Sequence, residues 1–332
     1  MTTALTTEAN IQRLPDVFTD PASGQRINLL DYKAANMRMS WLMALLTMAL
    51  LAGLAYLIAQ VTDVASTGFF VGSALAIGGA QGAVGFWFSD KIALAASGAH
   101  KANSAEHRYL VNVTEAVAIG AGVPMPDIYV IDSPAPNAFA TGRNPEHSSI
   151  AVTKGMLAIL DRQELEGVIA HEMAHVRNYD IRFMSMLVAT VGAILVLRDL
   201  VMRWLYWGGM GSGSGRRRSS DRGGDGARGQ GVMALLLIVL LVLAPLLASL
   251  LRLAVSRRRE YLADAAGAYI TRNPEGLARA LEKIKSYRGP QLEVSEGVRH
   301  MFFVNPLHGQ NNVDMFATHP PIEERIKRLR RM

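Results

Sequence analysis

Two histidines and a glutamate lie within a window of five residues, as His171, Glu172 and His175. Residues four apart on an α-helix lie on one face, so both imidazoles can point at the same metal ion. Glu172 follows the first histidine directly, where its carboxylate can take a proton from an attacking water molecule. This arrangement is typical of zinc hydrolases, in which two histidines bind the metal and the glutamate is the base. Two surface histidines on an ordinary helix are the plain alternative.

A catalytic zinc ion needs a third protein ligand and keeps its fourth position for water. A further histidine ligand shortly after His175 is excluded, because Asn178 and Ile181 do not fit the pattern in which such a histidine follows. Glu260 and Asp264 are spaced by one helical turn and offer a carboxylate instead. We predict that Glu260 binds the metal and that Asp264 accepts the free N–H of a ligating histidine. A solvent-exposed helix face is the alternative for this pair.

The composition and the spacing of charges bound the class of protein. The chain has 332 residues, of which 50% are apolar and 19% charged, and it has no cysteine. Thiol catalysis, cysteine-bound zinc, iron–sulfur clusters and a disulfide scaffold are therefore excluded. Residues 39–62 and 64–89 contain no Asp, Glu, Lys or Arg. Each run exceeds the roughly 20 residues that a helix needs to cross a bilayer, so the sequence predicts an integral membrane protein.

The predicted organisation alternates membrane and soluble segments. We predict a cytoplasmic leader (1–40), a transmembrane hairpin (41–61 and 67–88), a first catalytic part (89–182), two further apolar stretches (183–206 and 232–251) around a flexible loop (207–231), and a second catalytic part (252–332). The loop is rich in Gly, Ser and Arg, as flexible connections often are. We expect both later stretches to span the membrane, which gives four spans.

The basic residues predict the orientation and the type of partner. Lysines and arginines flank the first two spans, namely Arg26, Lys33, Arg38, Lys91, Lys101 and Arg108. By the positive-inside rule they place the leader and the catalytic parts in the cytoplasm. The net charge of +6 is explained in this way, without nucleic acid. If the loop 207–231 lies outside, its arginines violate the rule, so partial insertion of the two later stretches is the alternative to four full spans. Arg257, Arg258 and Arg259 are predicted to mark the membrane surface after the fourth span.

Local signals predict the elements that must position the chemical groups. Asp161, followed by Glu164, forms a capping-box pattern that begins the helix of the two histidines. Residues 127–132 and 149–153 are rich in β-formers and predict strands, and 94–120 predicts a helix. Two later helices are predicted to begin at Asn273-Pro274 and at Pro320-Pro321.

The order of these motifs resembles the HtpX family of membrane zinc metalloproteases, distant relatives of the CAAX prenyl protease. The resemblance rests on two apolar spans, the histidine motif, two further apolar stretches, the Glu260 and Asp264 pair, and a late His319-Pro320-Pro321. It implies an α+β, gluzincin-like zinc protease domain, mostly helical with a small sheet, on a base of about four transmembrane helices. It also implies one Zn²⁺ per chain and a bacterial inner membrane location, with the catalytic domain facing the cytoplasm.

The same resemblance implies roles for further residues. His319 and Arg325 would stabilise the tetrahedral intermediate, as donors near a developing oxyanion do. Asp180 would support a metal ligand. An edge strand at 149–153, together with the segment before it, would pair with the backbone of an extended substrate. The residues implied for this substrate contact are Asn137, Ala138, Phe139, Ile150, Ala151 and Val152. A helix-start role for His319, and a plain surface turn and strand, are the alternatives.

Misfolded or unassembled membrane proteins are the substrates that the resemblance implies, in protein quality control during stress. A CAAX-type prenyl protein protease is the nearest alternative. A catalytically silent zinc-binding scaffold is disfavoured, because a silent site has no need of Glu172. A transporter or channel is disfavoured because the first two spans carry no acidic, basic or histidine residue, whereas ion pathways usually need some.

Overall fold

The structure is a computed structural model. It describes residues 17–19, 24, 26–62, 67–188, 190, 257–292, 294, 301–304 and 320–332. An antiparallel hairpin of β1 (Val17–Thr19) and β2 (Arg26–Asn28) leads into α1 (Leu29–Thr62), which is followed by α2 (Thr67–Ala96). Helix α1 thus begins within the predicted leader and continues without a break across residue 40. Counted over the described residues, no helix meets the combined length and hydropathy expected of a membrane span.

A four-stranded mixed sheet follows, formed by β3 (Ala99–Lys101), β4 (Asp127–Ile131), β5 (Ala138–Asn144) and β6 (His147–Thr153). The strand order is β3-β4-β6-β5; β4 and β6 are parallel, and the other two pairs are antiparallel. Strands are therefore confirmed at both predicted positions. The predicted helix over 94–120 is interrupted, because the chain turns at Gly98, whose φ of 68° favours glycine, and forms β3. Helix α3 (Arg108–Ala121) begins only after that strand.

Helices supply the rest of the catalytic part. They are α4 (Lys154–Ile159), α5 (Arg162–Arg177), α6 (Arg257–Thr271), α7 (Pro274–Ser286) and α8 (Ile322–Leu329). The capping box of α5 is confirmed: the Glu164 amide donates to Asp161, and the Asp161 amide donates to Glu164. Asn273 caps α7 by accepting from the Gly276 amide at 3.1 Å, and α8 begins directly after the predicted proline pair.

The hydrophobic core lies between the sheet and the helices α3, α5 and α7. One buried cluster includes Leu110, Ile169 and Leu277 from the three helices and Val130 and Ile150 from the sheet, each with less than 2% of its surface exposed. Helix α5 is buried along nearly its whole length, because the sheet covers one side and other helices cover the rest. The core therefore holds α5 rigidly and fixes the direction of its side chains.

The prediction that residues 149–153 form an edge strand is wrong. Strand β6, with Ile150, Ala151 and Val152, is hydrogen-bonded to β4 on one side and to β5 on the other, and all three residues are fully buried. A strand paired on both sides cannot add a substrate strand. The edge position next to β6 belongs to β5, which carries Ala138 and Phe139.

The later apolar stretches are described only at their start, where residues 183–188 are helical. Outside the described residues lie the rest of the stretch 183–206 apart from Thr190, the loop 207–231, the stretch 232–251 and His319. The predicted domain boundaries stay predictions.

Candidate active site

Three side chains from two helices converge on one point. The Nε2 atoms of His171 and His175 lie 3.2 Å apart. Glu260 Oε2 lies 3.6 Å from His171 Nε2, and Glu260 Oε1 lies 3.7 Å from His175 Nε2. Around a tetrahedral zinc ion with metal–nitrogen distances of about 2.0–2.1 Å, two ligand atoms are about 3.3 Å apart. The donor set therefore fits a metal ion of this kind.

The other nitrogen of each imidazole is held by its own carboxylate. His171 Nδ1 lies 2.9 Å from Asp264 Oδ1, and His175 Nδ1 lies 2.9 Å from Asp180 Oδ2. A carboxylate in this position keeps the proton on Nδ1, so the lone pair of Nε2 is available to a metal. The two histidines are thus oriented for metal binding by fixed partners.

Close packing of the two helices brings Glu260 within reach of the histidines. Gly267 of α6 lies against α5, where a Cβ atom on it would be only 3.0 Å from the backbone nitrogen of His171. Since such a contact is tighter than side chains normally allow, a glycine at this position permits the close approach. The carboxylates of α6 then face the imidazoles of α5.

Arg325 of α8 is the cation that balances these carboxylates. It donates two hydrogen bonds to Asp264, at 2.9 Å from Nε and 2.7 Å from Nη2, and its Nη1 lies 3.9 Å from Glu260 Oε2. Its side chain is fully buried, and its guanidinium lies over the ring of Phe303 at 4.7 Å. A two-pronged arginine–carboxylate pair of this kind is strong and geometrically defined. It fixes Asp264 and, through Asp264, the ring of His171.

The buried charges shift the pKa values of the network. Burial opposes the charged form of His171, but the hydrogen bonds to Asp264 and Glu260 outweigh it and raise the pKa of His171 to about 9. Burial acts to raise the pKa of Asp264, and the opposing charge of Arg325 with the bond to His171 lowers it below its usual value. A metal ion competes with the proton on His171, because a ligating imidazole must be neutral.

Glu172 lies in the same cleft as the three candidate ligands. The cleft has a volume of about 360 Å³, including the part open to solvent, and Glu172 lines it with 2% of its surface exposed. The apolar part of the cleft wall is formed by Ala140, Ile181, Met184, Met301 and Phe303. A peptide entering this cleft would meet the carboxylate of Glu172 next to the metal position.

The residues implied for substrate contact have other neighbours. Asn137 Nδ2 donates to the carbonyl of Val304 at 2.7 Å, and its Oδ1 accepts from the Val304 amide at 3.1 Å. Phe139 is fully buried and packs edge-on against Phe302 at 4.9 Å. Asn137 and Phe139 thus hold the segment 301–304 beside the cleft. Ala138 is fully buried as well.

The apolar wall of the cleft and two polar residues that contact Asp180 were missed by the sequence analysis. Arg259, assigned with its neighbours to the membrane surface, instead places its Nε 2.9 Å from Asp180 and its guanidinium over Phe183 at 4.9 Å. Asn36 of α1 donates to Asp180 Oδ1 at 2.6 Å. One general rule points towards a residue such as Arg259: if Asp180 is buried, it requires a cation or hydrogen-bond donors nearby. The sequence carries no signal for Asn36.

Comparison with known proteins agrees with this geometry. The family model described as Peptidase family M48 matches residues 104–332. A "Protease HtpX homolog" of Thermoanaerobacter pseudethanolicus is 48% identical over 242 residues, which cover 73% of this chain and 78% of that protein. Another, of Caldanaerobacter subterraneus subsp. tengcongensis, is 49% identical over 244 residues, with the same coverage of 73% and 78%.

A solved structure is also similar, though distantly. The crystal structure of S. mikatae Ste24p is 20% identical, with a TM-score of 0.44, over 90% of this chain and 67% of that chain. This likeness is too weak to establish anything by itself. The family match covers both helices that carry the candidate metal ligands. The chain therefore belongs to peptidase family M48, as a metalloprotease of the HtpX family.

Proposed function

We propose that the chain uses one Zn²⁺, bound by His171, His175 and Glu260, to hydrolyse peptide bonds within polypeptides. The observation that carries the proposal is the convergence of both Nε2 atoms on the Glu260 carboxylate, in a cleft that Glu172 also lines. A zinc-binding scaffold without activity would need the three ligands but would gain nothing from a buried glutamate beside them. A CAAX-type prenyl protein protease shares the chemistry, and only its substrate differs.

The residues divide the work of hydrolysis between them. Zinc bound at this site would polarise the scissile carbonyl and lower the pKa of the attacking water. Glu172 accepts the proton of that water and delivers it to the leaving amine, which is general base and general acid catalysis by one carboxylate. Asp264 and Asp180 keep the imidazoles in the required tautomer and orientation.

The support for a role in stabilising the tetrahedral intermediate differs between His319 and Arg325. For His319 the support is its place in the late His-Pro-Pro motif. Nε and Nη2 of the Arg325 guanidinium are engaged by Asp264, so a direct contact with the intermediate would be limited to Nη1, which makes no hydrogen bond to any described residue. We therefore propose that Arg325 acts mainly as a fixed buried cation, which orients Asp264 and faces Glu260 at 3.9 Å.

Strand β5 is the element that supports binding of an extended substrate. The Thr153 amide donates to the Asn137 carbonyl, and the Phe303 amide donates to the Ala138 carbonyl from the opposite side. Because the backbone groups of successive strand residues alternate in direction, those of Ala140 face away from β6. Ala140 also lines the cleft. We propose that the substrate backbone pairs with Ala140.

Digestion of casein by the detergent-purified protein tests this function, with Ala140→Pro as the informative variant. Proline removes one N–H from the outer side of an edge strand, a position where sheets tolerate it. We expect the variant to keep its zinc and its kcat and to raise KM by roughly fivefold to tenfold, the effect of one lost hydrogen bond. Ala140→Ser keeps the N–H and should behave as wild type. A silent scaffold digests no casein in any form, and an unchanged KM in Ala140→Pro would refute the pairing.

A bacterial inner-membrane location, with the catalytic domain facing the cytoplasm, is also proposed. The uncharged runs 39–62 and 64–89 support it. So do two exposed tryptophans beside basic residues: Arg182 lies over Trp41 at 5.3 Å and Arg143 over Trp87 at 4.6 Å. Tryptophan is enriched at membrane–water interfaces. Misfolded or unassembled membrane proteins are the proposed substrates, in protein quality control.

A further inference from the structure

We infer that Asn36, in the segment before the first predicted span, is a positioning residue of the metal centre. It holds the carboxylate of Asp180, which in turn orients the metal ligand His175. The inference rests on the zinc site proposed above and assigns a task to the N-terminal segment. The family match begins only at residue 104, so this segment lies outside the part of the chain that it covers.

The amide of Asn36 is placed where only its nitrogen can face the site. Nδ2 donates to Asp180 Oδ1 at 2.6 Å and to the carbonyl of Asn178 at 2.9 Å. Both of these neighbours are acceptors, so the hydrogen-bonding pattern fixes the orientation of the amide. The opposite end, Oδ1, accepts from Arg259 Nη2 at 3.4 Å. With 5% of its surface exposed, Asn36 makes these bonds away from water.

Asp180 divides its two oxygens between the ligand and the N-terminal segment. Oδ2 faces His175 Nδ1, while Oδ1 accepts from Asn36 and faces Arg259 Nε. Asp180 is itself 2% exposed. A buried carboxylate takes the orientation that its donors dictate, since each unmade bond is costly there. Removing Asn36 leaves Oδ1 with Arg259 as its remaining partner, so the carboxylate is held less firmly and the ring of His175 is less well oriented.

The same segment also holds the backbone from which Asp180 projects. Tyr179 has a φ of 61°, in the left-handed region that bulky residues rarely adopt. On either side of it, Asn36 binds the carbonyl of Asn178 and the carboxylate of Asp180. Lys33, one turn earlier on α1, lies over the Tyr179 ring at 4.4 Å. The turn is thus clamped from α1 at three successive residues.

Apolar packing keeps the N-terminal segment in this place. Ile27 and Leu29 are 9% and 4% exposed, and they are buried in one cluster with Ala174 of α5 and Leu262 of α6. The segment therefore docks on both helices that carry the metal ligands. This contact explains how a hydrogen bond between residues 144 positions apart can be maintained.

The test is the zinc affinity of the full-length, detergent-purified protein, measured by competition with a chelator. Asn36→Leu keeps a similar volume without a donor, and Asn36→Asp keeps the shape but sets a carboxylate against Asp180. We expect both to weaken zinc binding by about fivefold to tenfold, at or below the lower end of the roughly 10–100-fold that follows loss of a direct partner of a metal ligand such as Asp180. The absorption bands of Co²⁺ bound in place of zinc should change as well.

Ser40→Ala is the matched control. Ser40 lies one turn further along α1, is 1% exposed, and donates to the backbone carbonyl of Asn36 at 2.8 Å. We expect its zinc affinity to stay within about twofold of wild type. In an Asp180→Asn background, Asn36→Leu should cause little further loss, because it acts through that carboxylate. Wild-type affinity in Asn36→Leu or Asn36→Asp, or an equal loss in Ser40→Ala, would overturn the inference. A wild-type protein that binds no zinc would refute the proposed site instead.

Discussion

Glu172→Gln is expected to lower peptide cleavage by at least about 10²–10⁴-fold while zinc remains bound. Glutamine has nearly the same size and can still form hydrogen bonds, but an amide cannot accept a proton at neutral pH. Glu172 lines the cleft beside the three ligands and is not one of them, so the metal site should keep its geometry. Casein digestion and zinc content, measured on the same preparation, report the two properties separately.

Glu166→Gln is a suitable control for this experiment. Glu166 lies on the same helix and forms an ion pair with Arg162 at 2.8 Å, away from the cleft. Its replacement should leave both zinc content and cleavage within about twofold of wild type, since surface ion pairs contribute little. Undiminished proteolysis in Glu172→Gln with zinc retained would remove Glu172 from the mechanism. Loss of zinc together with activity would mean that its role is in binding the metal.

Glu260→Ala is expected to remove most of the bound zinc. It deletes one of three protein ligands, leaving two imidazoles 3.2 Å apart that cannot hold the ion firmly by themselves. The loss of affinity should exceed the roughly 10–100-fold that follows removal of an outer partner. The number of zinc ions per chain, determined after dialysis against a weak chelator, measures this loss of affinity.

Asp264→Asn gives the graded comparison for this second prediction. Asp264 contacts the Nδ1 side of His171, so its replacement should weaken zinc binding less than the loss of Glu260 does. Full zinc occupancy in Glu260→Ala would show that another residue supplies the third ligand. Asp264 and His319 would then be the next residues to replace.

The candidate ligands were predictable because they rest on local spacing. Four-residue intervals on two helices place His171 with His175, and Glu260 with Asp264, on common faces whatever the rest of the fold does. The caps at Asp161 and Asn273 are equally local, and both are confirmed. Predictions from such signals are reliable because they depend only on contacts within one helical turn.

Strand pairing was not predictable in the same way. Whether β6 lies at an edge depends on β4 and β5, whose register with it is set by contacts between distant segments. One local signal pointed to the centre of the sheet: Ile150, Ala151 and Val152 are consecutive apolar residues, which is typical of strands buried on both faces. The β-rich composition alone could not distinguish an edge strand from a central one.

Charge balance explains the outer contacts of the site, for which the sequence analysis named Arg325 without its pairing to Asp264 and assigned Arg259 to the membrane surface. Asp264 and Asp180 are both buried, so each needs a cation, and the structure supplies Arg325 and Arg259. Which of the chain's 34 basic residues meets which acid is decided by tertiary packing. Asn36 is harder still, because a neutral amide carries no charge signal, and its partner lies on the other side of two predicted spans.

The central claim is that one zinc ion at this triad makes the protein a protease, and a metal titration tests it most directly. Zinc is stripped from the purified wild-type protein with a chelator and then returned in measured portions while casein cleavage is followed. We expect no cleavage by the stripped protein, followed by activity that rises in proportion to bound zinc and levels off at one zinc per chain. Full activity after stripping, or inactivity with one zinc bound, would contradict the claim.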